Sequence, residues 1–187
     1  TGATYTWTNS NTAIGLAASG TGTISSWPAP VNNTGSNITG VISVVPHLNG
    51  CDGPPMNFSI TIYPTPTAPV ANNEESCFGF TVPELIANAS GIIQWYDDAS
   101  LSPPVLHTGS NFNTGQTAVG TYIYYVTQSV NSCESPATEV SLTIYPIPAA
   151  PQSSNQDVCF GLPVPDLNAI GTGTISWFDN ISLTPPP

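Results

Sequence analysis

The stretch Thr61–Pro104 returns without a gap as Thr143–Pro186, every matched pair separated by the same interval, 159 − 77 = 82 residues. A period of that length is a whole small domain, so the chain must fold as successive copies of one unit. The matched positions are mostly those that build a fold. Ile62-Tyr63-Pro64 returns as Ile144-Tyr145-Pro146, Cys77-Phe78-Gly79 as Cys159-Phe160-Gly161, Trp95 as Trp177 and Leu101 as Leu183. The 187 residues hold little more than two periods. The expected organisation is one complete unit over residues 65–146, flanked by partial units over 1–64 and 147–187, in a segment of a longer array.

Composition removes whole classes of function. The chain has no Lys or Arg beside eleven acidic residues, a formal charge of −11 and an isoelectric point near 4.1. Nothing in it can neutralise phosphates, so nucleic acid is not an expected partner, and anionic membrane headgroups would repel it. Schiff-base lysines, arginine clamps and Lys-to-Asn crosslinks are equally absent. Charged residues are only 6% of the chain and apolar ones 40%, with twenty prolines. Disordered chains are poor in aromatic and β-branched residues, whereas here these alternate in strand-like runs. No apolar run approaches the roughly 20 residues of a membrane-crossing helix, and no leader opens the sequence. Direct membrane insertion is not expected, and any export signal or anchor is expected outside these residues.

Helix signals are nearly missing, because Pro, Gly or Asn interrupts almost every window that could carry a 3.6-residue stripe. The chain reads as all-β. In the complete unit strands are expected near Phe80–Ala87, Ile92–Tyr96, Val105–His107, Thr121–Gln128 and Glu139–Tyr145. Between units, Pro64-Thr65-Pro66-Thr67-Ala68-Pro69 and Pro146-Ile147-Pro148-Ala149-Ala150-Pro151 read as extended, semi-rigid connectors.

The four cysteines follow the period, since 133 − 51 = 82 as well, which gives each unit one early and one late thiol. A bridge between Cys77 and Cys133 is expected inside the complete unit, worth roughly 4 kcal/mol by loop closure. Cys51 and Cys159 would find their partners outside the sequence. Regular cysteines in small β units point to an oxidising compartment. Without close CxxC spacing, and with His47 and His107 isolated, a zinc site is not expected.

The order of Cys77, Trp95 and Cys133 resembles that of immunoglobulin-like sandwiches. Gly120-Thr121-Tyr122-Ile123-Tyr124-Tyr125-Val126, Cys133-Glu134-Ser135-Pro136-Ala137-Thr138 and Val140–Pro146 resemble the Ig-like repeats of very large secreted surface proteins of the Bacteroidetes. The likeness covers Pro66–Pro146 and resumes at Pro148. Tyr5-Thr6-Trp7-Thr8-Asn9-Ser10-Asn11 and Ile14-Gly15-Leu16-Ala17-Ala18-Ser19-Gly20 are similar to the PKD-like repeat that often precedes them. The resemblance implies tandem β-sandwich domains joined by Pro-rich linkers, in a protein of the SprB-type gliding adhesin family exported by type IX secretion. It also implies a place on the bacterial cell surface, with neighbouring repeats, surface polysaccharide or other surface proteins as partners.

No set of residues carries chemistry. There is no Gly-x-Ser-x-Gly elbow, and neither histidine has an evident acid partner, so both read as exposed loop residues. No enzyme activity and no cofactor are expected. Asp97 and Asp98 are the candidates for calcium, but six to eight oxygens are needed and Asn180 replaces Asp98 one period on, so a solvated turn is preferred. Trp95 and Trp177 are expected in the core, and Trp27, in a stretch rich in Pro and Gly, is the candidate ligand contact. Asn-x-Ser/Thr triplets at Asn32, Asn37, Asn57, Asn88 and Asn180 match chance in so Asn-rich a chain. The reading is a non-enzymatic stalk or spacer of a filamentous adhesin. The alternative is an accessory module array of a secreted hydrolase, with polysaccharide as its ligand.

Overall fold

The computed structural model describes residues 2–179; Asn180, Leu183 and the end of the repeat lie outside them. Among the described residues no helix is long and apolar enough to cross a membrane.

The first unit is one five-stranded antiparallel sheet. Its strands are β1 (Thr4–Asn9), β2 (Ser19–Thr21), β3 (Ile38–Leu48), β4 (Cys51–Asp52) and β5 (Met56–Ile62). β3 lies at the centre, with β1 and then β2 on one side and β4 and β5 on the other. Trp7, Ile14 and Ile42 are buried on one face, supported by Trp27, Val44, Ile60 and Ile62. Ile14 is delivered by a single 3-10 turn, Thr12–Ile14, which Asn11 caps through Oδ1 and Gly15 closes at φ +85°. The indole of Trp7 lies flat across Gly20, its register partner on β2. A Cβ at Gly20 would come within 2.3 Å of that ring, which is why the strand carries no side chain there.

The second unit has two facing sheets. Its strands are β6 (Val70–Ala71), β7 (Glu74–Cys77), β8 (Leu85–Asn88), β9 (Ile92–Tyr96), β10 (His107–Thr108), β11 (Asn111–Phe112), β12 (Gly120–Val130), β13 (Cys133–Glu134) and β14 (Thr138–Tyr145). The large sheet runs β10-β9-β12-β14-β7 with β13 on β12; the small one runs β11-β8-β6. Side chains with period two supply the core: Leu85, Ala87 and Phe112 from the small sheet, Ile93, Trp95, Tyr124, Val126, Val140, Leu142 and Ile144 from the large. Phe112 is the hinge of the aromatic packing, 5.4 Å from the Trp95 ring and edge-on to Tyr124 at 5.3 Å. The opening of the unit is split between sheets, β6 pairing antiparallel with β8 and β7 parallel with β14.

These strands match the expectation at β9, β12 and β14. The strand expected over Phe80–Ala87 begins only at Leu85, because Gly79 at φ +83° turns the chain and Pro83 denies a ladder donor. The short strands β6, β7, β11 and β13 carry too few residues for a period to be read.

Residues 147–179 reproduce one piece of the second unit. β15 (Gln152–Ser153) pairs with β16 (Ala169–Ile170), Gln152 facing Ile170 and Ser153 facing Ala169. Shifted by 82, this is the register of β6 on β8, Val70 facing Asn88 and Ala71 facing Ala87. Trp177, expected in a core, is 54% exposed, whereas Trp95 is 0%. The ring of Trp95 is enclosed by side chains from β12 and β14, and no counterparts of those strands occur among residues 147–179.

Candidate functional site

The cysteines show how each unit is oriented. Cys77 ends β7 opposite Tyr145, and Tyr145 follows Ile144, which faces Gly120 at the start of β12. Cys133 faces Val130 at the far end of the same strand. Ten residues of β12 separate the two levels, about 33 Å at ~3.3 Å per residue. The expected Cys77–Cys133 bridge is therefore corrected. A disulfide needs Cα atoms within about 7 Å, and all four cysteines are free. The period gave each unit its two thiols but not the poles on which they sit.

Both late cysteines occupy the same local structure. Asn49 and Gly50, at φ +53° and +80°, turn β3 into β4; Asn131 and Ser132, at φ +50° and +62°, turn β12 into β13. Positive φ at both central residues is the tight hairpin turn that suits the strand twist. It presents Cys51 and Cys133 one residue after the turn.

The joint between the first two units is held from both sides. The Asn32 side chain is buried and donates from Nδ2 to the carbonyls of Ser36 and Ile62, while Oδ1 accepts from Thr34. The Asn32 carbonyl then accepts the amide of Thr65, so the last strand of the first unit and the start of the linker share one anchor. From the other side, Gln128 Nε2 donates to the Thr67 carbonyl at 2.7 Å while its Oε1 accepts the Gly91 amide. Thr138 Oγ1 donates to the Pro69 carbonyl at 2.6 Å. A connector of alternating prolines has few amides of its own, and here its carbonyls are taken by the second unit. Buried amide side chains satisfied in this way fix a geometry, since breaking one leaves groups unpaired. Sequence reasoning missed both Asn32 and Gln128. Asn32 carries the same triplet signal as Asn37, Asn57 and Asn88, and burial is what separates it from them.

An apolar cleft of about 410 Å³ opens beside the joint, walled by Ile14, Trp27, Ile60, Ile62 and Tyr63 of the first unit and by Cys133 of the second. Trp27, expected to be exposed, is half-buried, and its Nε1 donates to the Ile14 carbonyl at 2.9 Å. Its position is fixed by packing, with one edge left to the cleft.

The acidic residues are used for local ties. Asp98 Oδ1 accepts the Ser100 amide, a turn. Glu134 Oε1 accepts from Tyr96 and Thr127, Glu139 from Tyr125 and Glu75 from Tyr145. Burial, then the carboxylate of Glu134, raises the Tyr96 hydroxyl above its ordinary value of 10.0. The neighbouring carboxylates Glu139 and Glu75 raise Tyr125 and Tyr145 likewise. Among the described residues no three of His, Cys, Asp and Glu converge on one point. His47 and His107 were read as exposed, but both are half-buried strand residues. His47 bonds Asp52 through Nδ1 and Thr6 through Nε2, and His107 stacks on Phe112 at 5.5 Å.

No curated protein matches the chain. Residues 66–146 match the model of the family described as "Ig-like domain CHU_C associated", and the two-sheet core of this unit is an Ig-like fold.

Proposed function

We propose that the chain is a non-enzymatic spacer segment of an extracellular, filamentous bacterial surface protein, an adhesin whose attachment function resides in other parts of the molecule. The observation that carries this reading is the joint. A chain that merely tethered its domains would leave the linker free, whereas here Asn32, Gln128 and Thr138 tie it down from both sides. Such a joint, repeated at each unit, would make a rod. The Ig-like family of residues 66–146 favours a surface location. The SprB-like gliding role, type IX export and contacts with polysaccharide or other surface proteins follow from the resemblance of the repeats. Negative-stain imaging of the full-length protein should show a beaded filament with one bead per unit; a compact particle would sink the proposal.

A further inference from the structure

We propose that consecutive units of this array are covalently stapled to each other: the early thiol of one unit, Cys77, forms a disulfide with the counterpart of Cys133 in the following unit. By the same rule Cys133 would bond the early thiol of the unit before it.

The argument begins from the poles. The linker enters the second unit beside Gln128 and Thr138, at the end of β12 that carries Cys133. The chain leaves through Tyr145, at the end that carries Cys77. Cys133 therefore looks back at the preceding unit, and Cys77 looks forward to the next. That orientation is visible in the cleft, which Cys133 lines together with Tyr63 of the preceding unit. Tyr63 plus 82 is Tyr145, the register partner of Cys77, and adjacent strands lie about 4.8 Å apart. By this register the early thiol of a unit stands one strand from the tyrosine that lines the same cleft as the next unit's late thiol. The linkers Pro64–Pro69 and Pro146–Pro151 are equally long, so the spacing should be preserved at the next joint. Within the described residues each cysteine lacks its counterpart, which accounts for four free thiols without treating any as idle.

Formation of the bond is an oxidation. Two thiols lose two protons and two electrons as Sγ–Sγ forms, and a disulfide acceptor, oxidised glutathione or a thiol–disulfide oxidoreductase, takes both and leaves as two thiols. The bridge would close the chain across the joint and limit its bending, an effect a bridge within one unit could not have. It deepens the spacer reading and rests on its end-to-end geometry. Imaging of the filament tests that geometry, and thiol mapping tests the staple, so the two can fail separately.

The experiment extends the full chain after Pro187 with a second copy of residues 106–146, which supplies one new late cysteine in addition to the native four. After treatment with oxidised glutathione, peptic mapping should join Cys77 to the added copy of Cys133, with the other three thiols still alkylated. Cys77→Ser should abolish the bridge, whereas Cys51→Ser and Cys159→Ser should leave it. A bond between Cys77 and Cys133 of the same unit, a bond only between separate chains, or five free thiols with Trp177 buried would each overturn the proposal. A second arm uses the chain as it stands. Tyr63→Cys should bridge to Cys133 under the same oxidant, and failure to do so would show that the walls of the cleft are out of reach and overturn the proposal independently.

Discussion

Residues 65–146 and residues 147–179 carry the same sequence pattern and end in different structures. In the first, Trp95 is sealed by β12 and β14; in the second, Trp177 is 54% exposed. Yet the pairing of β15 with β16 repeats the register of β6 with β8. The turn does too, since Gly79 and Gly161 sit at φ +83° and +85°, and Phe80 and Leu162 donate to the carbonyls of Cys77 and Cys159. Turn chemistry and short-range pairing are thus written locally. Burial is cooperative, and it requires strands that begin 120 − 95 = 25 residues and more further along.

That contrast can be tested in four ways, in order of falling effect. Completing the last unit with a copy of residues 106–146 should convert residues 147–187 into a cooperatively folding domain, a gain of about 5 kcal/mol or more. A blue shift of Trp177 emission and a second unfolding transition would report it; an unchanged spectrum would mean that the repeat does not encode the core. Next, Trp95→Ala should cost about 3–5 kcal/mol through loss of a fully buried ring. Trp177→Ala in residues 1–187 alone should stay within about 0.5 kcal/mol, as for other exposed sites. Urea titrations of the two variants would compare them directly, and equal losses would erase the distinction. Third, Gln128→Ala should destabilise the complete unit by about 1–3 kcal/mol, because it strands the Thr67 carbonyl and the Gly91 amide. Faster hydrogen exchange at Gly91 is the local signature.

The smallest effect concerns pH. The folded-state Tyr96 hydroxyl is raised, first by burial and then by Glu134. A raised group stabilises the fold below its unfolded value and loses that contribution as pH climbs past the folded one. The complete unit should therefore weaken from about pH 10 upward, and Tyr96→Phe should remove this part of the alkaline loss. Phe178 occupies the matching position in the last unit, so completing that unit should give it no such term. Melting temperatures between pH 8 and about pH 11 would show it.

Much of this architecture was legible in the sequence, and the reasons differ by element. The alternation of Val140, Leu142 and Ile144 gave β14 its buried face, and Ile93 with Trp95 did the same for β9, because period two is a local property. Cys77 and Cys133 were legible as a matched pair and not as occupants of opposite poles. A spacing gives order along the chain, while the pole depends on β7 running parallel to β14. Trp27 sits in a segment whose composition suggests exposure, yet its indole finds Ile14, 13 residues away. The clamps Asn32 and Gln128 were invisible for a related reason: an amide side chain has no pattern of its own, and its role is set by which carbonyls the fold brings to it.

The parallel pairing of β7 with β14 has a mechanical meaning. The two strands lie near the opposite ends of the unit's sequence, and their ladder runs from Glu74 beside Leu142 to Cys77 beside Tyr145. A pull on the two ends of the unit draws such strands past each other lengthwise. The load then falls on all of the ladder's hydrogen bonds together, where an antiparallel pair pulled from one end would unzip bond by bond. Tension along the filament would meet its resistance in these four residue pairs before it reached the core.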